Sequence, residues 1–127
     1  MLDHVGLTVP PANFDAVVAW YLAALAPLGY TQRLSVPGAG VALGPSDTEM
    51  PLWIGCTATE VKEGAHVAFK AADHETVRKF HEAALKAGGK CNGEPGLRAE
   101  YHPDYYGAFV FDPVGNNIEV VDHLRHD

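Results

Sequence analysis

The chain is written twice. Leu2 to Val9 (LDHVGLTV) alternates apolar and polar residues as a half-buried strand does and carries His4 near its start; Ala65 to Lys70 (AHVAFK) repeats the pattern with His66 at its second position. After the first stretch and a Pro-Pro turn, Val17, Trp20, Tyr21, Ala24, Leu25 and Leu28 recur at helical spacing. This predicts a helix from Asn13 to about Ala26, capped by Asn13 or Asp15 and ended by Pro27 and Gly29. After the second stretch, Asp73 stands where a cap belongs, and the stripe Val77, Phe80, Ala84, Leu85 predicts a helix over 74–87, closed by Gly88-Gly89. Three short strand-like pieces follow each helix: 33–36, 40–44 and 50–56 in the first half, and 97–101, 107–111 and 117–122 in the second. The halves are module one (1–60) and module two (61–127), joined by a polar linker at 59–64. Each reads βαβββ, and neither can bury a sheet face alone, so the modules must pack together or with another chain. The expected class is α+β, in one domain over 1–127.

Composition narrows the function. With 127 residues, 47% hydrophobic and 20% charged, the chain suits one globular domain rather than disorder. A formal charge of −7 argues against nucleic acid and anionic membranes, whose binding needs Lys and Arg to neutralise phosphates. No apolar run of about 18 residues predicts a membrane span, and Met1-Leu2-Asp3-His4 lacks the positive region of a secretory signal, so a cytoplasmic location is expected. Cys56 and Cys91 lie outside any CxxC and read as small apolar fillers. Seven histidines are left as the place to look for chemistry.

His4 and His66 occupy matched positions. In the last strand Ile118, Val120 and Asp122 share one face while Asn117, Glu119 and Val121 share the other. Glu119 among Ile118, Val120 and Val121 is costly to bury unless a metal ion or a positive partner offsets its charge. His4, His66 and Glu119 together form a 2-His-1-carboxylate set, compatible with one divalent ion (Fe, Zn, Ni, Mn or Co) and leaving positions open for substrate and water. The plain alternative is that strand histidines are hydrogen-bonded core or surface groups, and on spacing alone the two readings balance.

The segments LDHVGLTV, VVAWYLAALAPLGY, HVAFKAADHETVRKFHEAALKAGG and YYGAFVFDPVGNNIEVVDH, which together span nearly the whole chain, resemble the vicinal oxygen chelate superfamily of glyoxalases, extradiol dioxygenases and bleomycin-resistance proteins. The last is the most specific: an aromatic strand, an Asp-Pro-x-Gly-Asn turn and a strand bearing Glu. The resemblance implies paired βαβββ modules forming a cupped sheet around a cavity. It further implies metal ligands at His4, His66 and Glu119, and a small-molecule substrate that chelates the metal through neighbouring oxygens. A cavity built within one chain or across a homodimer with exchanged modules would both fit. The family's fourth ligand position falls on Trp53, whose indole cannot coordinate, which departs from the four-ligand glyoxalase I pattern. The competing reading is a bleomycin-resistance-type protein that holds a ligand in the same cup without chemistry.

Glu119, His102 and Tyr105 are the catalytic candidates, and Trp53, Tyr101, Tyr106 and Phe109 the candidate substrate contacts. For the tyrosines the structural alternative is cavity wall with hydroxyls bonded to backbone. Arg33 and Arg98 are expected in exposed ion pairs rather than as anion clamps. His74 and His81, seven residues apart with Asp73 and Glu75 nearby, are expected on a solvated helix face rather than at a second metal site, and His123 and His126 on the surface.

Overall fold

The computed structural model describes residues 2–57 and 64–127, so most of the linker expected at 59–64 lies outside the described residues. The order is β1 (Val5–Val9), α1 (Pro11–Ala24), a 3₁₀ turn (Ala26–Leu28), β2 (Thr31–Val36), β3 (Gly40–Gly44), β4 (Leu52–Cys56), β5 (His66–Lys70), α2 (His74–Lys86), β6 (Lys90–Leu97), β7 (Tyr106–Phe111) and β8 (Asn117–Asp122). Two four-stranded sheets result, ordered β1-β4-β3-β2 and β5-β8-β7-β6. In each, the first strand runs parallel to the last and the other pairs are antiparallel. The α+β class and the repeated βαβββ order are as the sequence predicts.

Most boundaries fall within two residues of expectation, and two differences are informative. Helix α1 begins at Pro11 rather than at Asn13, with Pro10 extended at the cap. Proline is tolerated at a first helical position, where its missing N–H has no intrahelical partner to lose, so the Pro-Pro pair starts the helix instead of preceding it. Strand β6 occupies Lys90–Leu97, not 97–101. Its Asn92-Gly93-Glu94-Pro95-Gly96 run looks like a loop, but β6 is a sheet edge, where proline and irregular register are accommodated, and its pairing with β7 shifts twice, around Gly93. By contrast Asp73 caps α2 as expected, its carboxylate accepting the Thr76 N–H at 2.6 Å.

The modules meet through their helices. Trp20 and Tyr21 of α1 are buried; Trp20 Nε1 donates to the Ala84 carbonyl of α2 at 3.1 Å, and the Tyr21 hydroxyl donates to Asp112 Oδ2 at 2.6 Å. Asp112 opens the β7–β8 turn, and its buried carboxylate also accepts from the Val114 and Asn116 N–H groups and from Asn116 Nδ2. Asn116 Oδ1 in turn accepts the Ala65 N–H, just before β5. The Asp-Pro-x-Gly-Asn turn is thus a clamp on module one and on β5, with Gly115 at φ +92° where a side chain would be strained. Inner residues of both sheets (Leu7, Val9, Ile54, Val110, Ile118, Val120) join the helices in one core. The opposite face of each sheet carries the candidate chemistry.

Candidate metal and ligand site

Strand alternation sets the stage. On β8 the buried Ile118, Val120 and Asp122 lie on the α2 side, so Glu119 points to the other face, alongside His66 of β5 and Phe109 of β7. These residues, with Tyr101, Tyr105 and Asn117, line an open recess of about 460 Å³. Glu119 is buried, with its side chain only 3% exposed, and its Oε1 lies 3.2 Å from His66 Nε2. Its Oε2 accepts a hydrogen bond from the Tyr105 hydroxyl. Gly107 makes room for that bond: a Cβ there would sit 3.2 Å from the Tyr105 ring and 3.3 Å from Oε2.

The tautomer of His66 follows from its second partner. Its Nδ1 lies 2.9 Å from the Asn117 carbonyl oxygen, which only accepts, so Nδ1 carries the proton. In the neutral imidazole Nε2 then presents a lone pair, aimed at a carboxylate oxygen that is also an acceptor. Two acceptors at 3.2 Å repel unless a proton or a metal cation lies between them. An imidazole donating its other nitrogen to a backbone carbonyl is the arrangement found behind metal-bound histidines. His66 and Glu119 therefore fit as two ligands of a divalent ion.

His4 does not join them in the single chain. It is exposed, its Nδ1 lies 2.6 Å from Asp3 Oδ2, and it lines a separate recess of about 370 Å³ with Tyr30, Leu52 and the β5 residues 67–70. Its register is nonetheless that of His66. Gly6 pairs with Trp53 as Ala68 pairs with Glu119, and each histidine stands two residues before the first member of its pair. Trp53 thus holds in module one the place of Glu119 in module two. Its indole lies across a floor of glycines from three strands: a Cβ would come within 3.6 Å of it at Gly6, 2.7 Å at Gly40 and 3.0 Å at Gly55. The result is a partly buried aromatic surface.

The other candidates are distributed unevenly. Tyr105 reaches the recess, and its phenol is raised above its ordinary range by partial burial, then by the hydrogen bond and charge of Glu119. Tyr101 packs edge-on to the Tyr105 ring. His102 sits behind that ring, accepting the Asp104 N–H on Nδ1 and placing Nε2 at 2.8 Å from His123 Nδ1, so it meets Glu119 only through Tyr105. Tyr106 is on the α2 side, stacked on His74 at 3.8 Å, and stays out of the recess. Arg98 spreads over the Phe109 ring at 5.5 Å and donates to the Gly96 and Glu94 carbonyls. Arg33 donates to the Gly44 and Pro45 carbonyls.

One surface expectation is corrected, and two histidines left at least partly exposed prove to share a buried partner. His81 is buried on α2, not solvated, with Nε2 at 3.2 Å from Cys91 Sγ, and Cys91 is exposed rather than a core filler. His126 places Nε2 at 2.6 Å from the buried Asp122 carboxylate, and His74 approaches the same oxygen at 3.6 Å. Sequence spacing could not reveal the His81–Cys91 and His74–Asp122 contacts, because each joins a helix residue to a strand residue brought near by packing.

No family model matches the sequence, and no curated protein matches it. Solved structures do resemble it. A glyoxalase/bleomycin resistance protein from Albidiferax ferrireducens T118 superposes with a TM-score of 0.71 at 24% identity, covering 92% of this chain and 95% of its own. A glyoxalase/bleomycin resistance protein/dioxygenase family enzyme from Burkholderia phytofirmans PsJN gives 0.72 at 18% identity over 96% and 98%. The lactoylglutathione lyase from Agrobacterium tumefaciens gives 0.63 at 17% identity over 93% and 91%. The chain has the fold of these proteins, in keeping with its resemblance to the vicinal oxygen chelate superfamily.

Proposed function

We propose that the chain binds one divalent metal ion through His66 and Glu119, with His4 of a second copy as the third ligand, and acts on a small molecule that offers two neighbouring oxygens. The observation that carries this reading is a buried carboxylate, Glu119, with Oε1 3.2 Å from Nε2 of an imidazole whose Nδ1 is held by a backbone carbonyl. A bound ion would supply Lewis-acid polarisation of a substrate oxygen. The chain's own groups do the rest. Tyr105 anchors Glu119 through Oε2 and holds a proton at the recess. Phe109, flanked by the Arg98 guanidinium, forms an apolar wall. A homodimer with two-fold symmetry would set module one of each copy against module two of the other, bringing the equivalent His4 toward His66 and laying Trp53 over the recess. A location in the cytoplasm fits a chain in which no described helix is long and apolar enough to cross a membrane.

One observation favours a second reading, ligand capture without chemistry. Trp53 on its glycine floor is a stacking surface for a planar ring, at the very register where a fourth ligand would stand. Metal content of untagged protein separates the two. The enzyme reading expects an equivalent of Fe, Zn, Ni, Mn or Co that disappears in His66→Ala. If no His66-dependent metal is found natively or on titration, the catalytic reading fails and the capture reading stands.

A further inference from the structure

Asp122 ends β8 on the face opposite Glu119, and its side chain is fully buried. Two imidazoles converge on its Oδ2: His126 Nε2 at 2.6 Å and His74 Nε2 at 3.6 Å. The other oxygen, Oδ1, is held by the Leu124 N–H at 2.8 Å, which fixes the carboxylate plane. His74 is fixed in turn by its stack on Tyr106, rings 7° from parallel, while His126 meets it edge-on at 5.1 Å. No Lys or Arg is paired with Asp122 among the described residues, so apart from the Leu124 N–H its buried charge is met only by the two imidazoles. One donor atom from each of the three residues lies within 4.8 Å of the others.

We propose that His74, Asp122 and His126 form a second divalent-cation site, separate from the recess and built on the α2 side of the same strand. Two imidazoles and one carboxylate suit a borderline first-row ion such as Zn(II) or Co(II), with the remaining positions taken by water. An ion at about 2.0–2.2 Å from each donor needs the 2.6 Å contact to open by about 1 Å. His126, 42% exposed and on the irregular segment after β8, can swing by that amount, whereas Asp122 and the stacked His74 are already set. Asp73, the cap residue next to His74 whose carboxylate accepts the Thr76 N–H at 2.6 Å, adds negative charge beside the site. The other His-containing cluster, His81–Cys91–Glu94, is a weaker candidate because its carboxylate is 79% exposed and carries no desolvation cost for an ion to relieve.

The test uses full-length His66→Ala, in which the recess has lost a ligand, so the result does not depend on the function proposed above. Co(II) titration of the metal-free protein, followed by visible absorption, should show one equivalent per chain. Adding His126→Gln or His74→Gln should weaken that binding by more than the 10–100-fold that loss of a mere outer-shell partner costs, about 100-fold or greater. Adding Cys91→Ser should leave it unchanged. Paramagnetic broadening of the Leu124 amide, but not the Glu94 amide, locates the ion without any variant at the site. Absence of an equivalent in His66→Ala, survival of binding in both glutamine variants, loss in Cys91→Ser, or broadening centred on Glu94 would each overturn the proposal.

Discussion

Whether the recess is completed by a second copy can be decided by mixing two defective proteins. His4→Ala and His66→Ala each remove one proposed ligand, and in a homodimer of either variant every recess is short of one. In a mixed dimer the two defects fall together. The recess built from His66 of the His4→Ala chain and His4 of the His66→Ala chain has all its ligands, and the other recess has neither histidine. Random subunit exchange makes about half the dimers mixed, and half of their recesses intact, so about one recess in four regains binding in a two-fold dimer. The structure supplies the reason to expect this: His4 stands in the register of His66, yet in its own chain it pairs with Asp3. The assay is Co(II) uptake per chain before and after exchange by mild unfolding and refolding. A Cys91→Ser, His126→Gln background keeps both remaining clusters silent. Uptake that stays at the level of the separate variants after verified exchange would refute completion across a dimer.

Tyr105→Phe removes the hydrogen bond on Glu119 Oε2 and is expected to weaken His66-dependent metal binding by about 10–100-fold with the fold intact, measured by the same titration and by circular dichroism. Gly44→Ala places a Cβ 2.1 Å from the Glu49 carbonyl oxygen and 2.6 Å from Met50 Cα, backbone atoms that cannot step aside, so urea unfolding should show a loss of about 1–3 kcal/mol or more. Tyr21→Phe leaves the buried Asp112 carboxylate with one donor fewer and should cost about 1–3 kcal/mol near neutral pH. Burial first, then the Asp112 charge, raise the Tyr21 phenol above its unfolded value, so its contribution is full below about pH 10 and is lost as pH rises beyond that. Urea midpoints measured upward from that pH should therefore fall more steeply in wild type than in Tyr21→Phe.

The repeated βαβββ order was legible because its signals are local: alternation in strands, the Val77–Phe80–Ala84 stripe in α2, and Asp73 at its cap. So was the face of Glu119, since side chains alternate along any strand. The misread pieces were those whose meaning depends on position in the sheet. Pro95 and its neighbouring glycines argue against a strand unless the strand is an edge, and nothing in the local sequence says that β6 is one. The Asp-Pro-x-Gly-Asn turn was legible as a signature but not as a clamp, because Tyr21 reaches it from the other module.

The sequence by itself determined the two-fold repetition, the α+β class, and the candidacy of His66 and Glu119, all of which follow from periodicity and from the cost of an unpaired buried charge. Tertiary structure alone decided which of those candidates meet. It joined Tyr105 to Glu119, held His4 apart in the single chain, drew His102 behind a tyrosine ring, buried His81 against Cys91, and set His74 and the exposed His126 on Asp122. The physical reason is that backbone periodicity fixes the face on which a side chain emerges, but its partners come from other elements or loops, set by how helices and sheets pack.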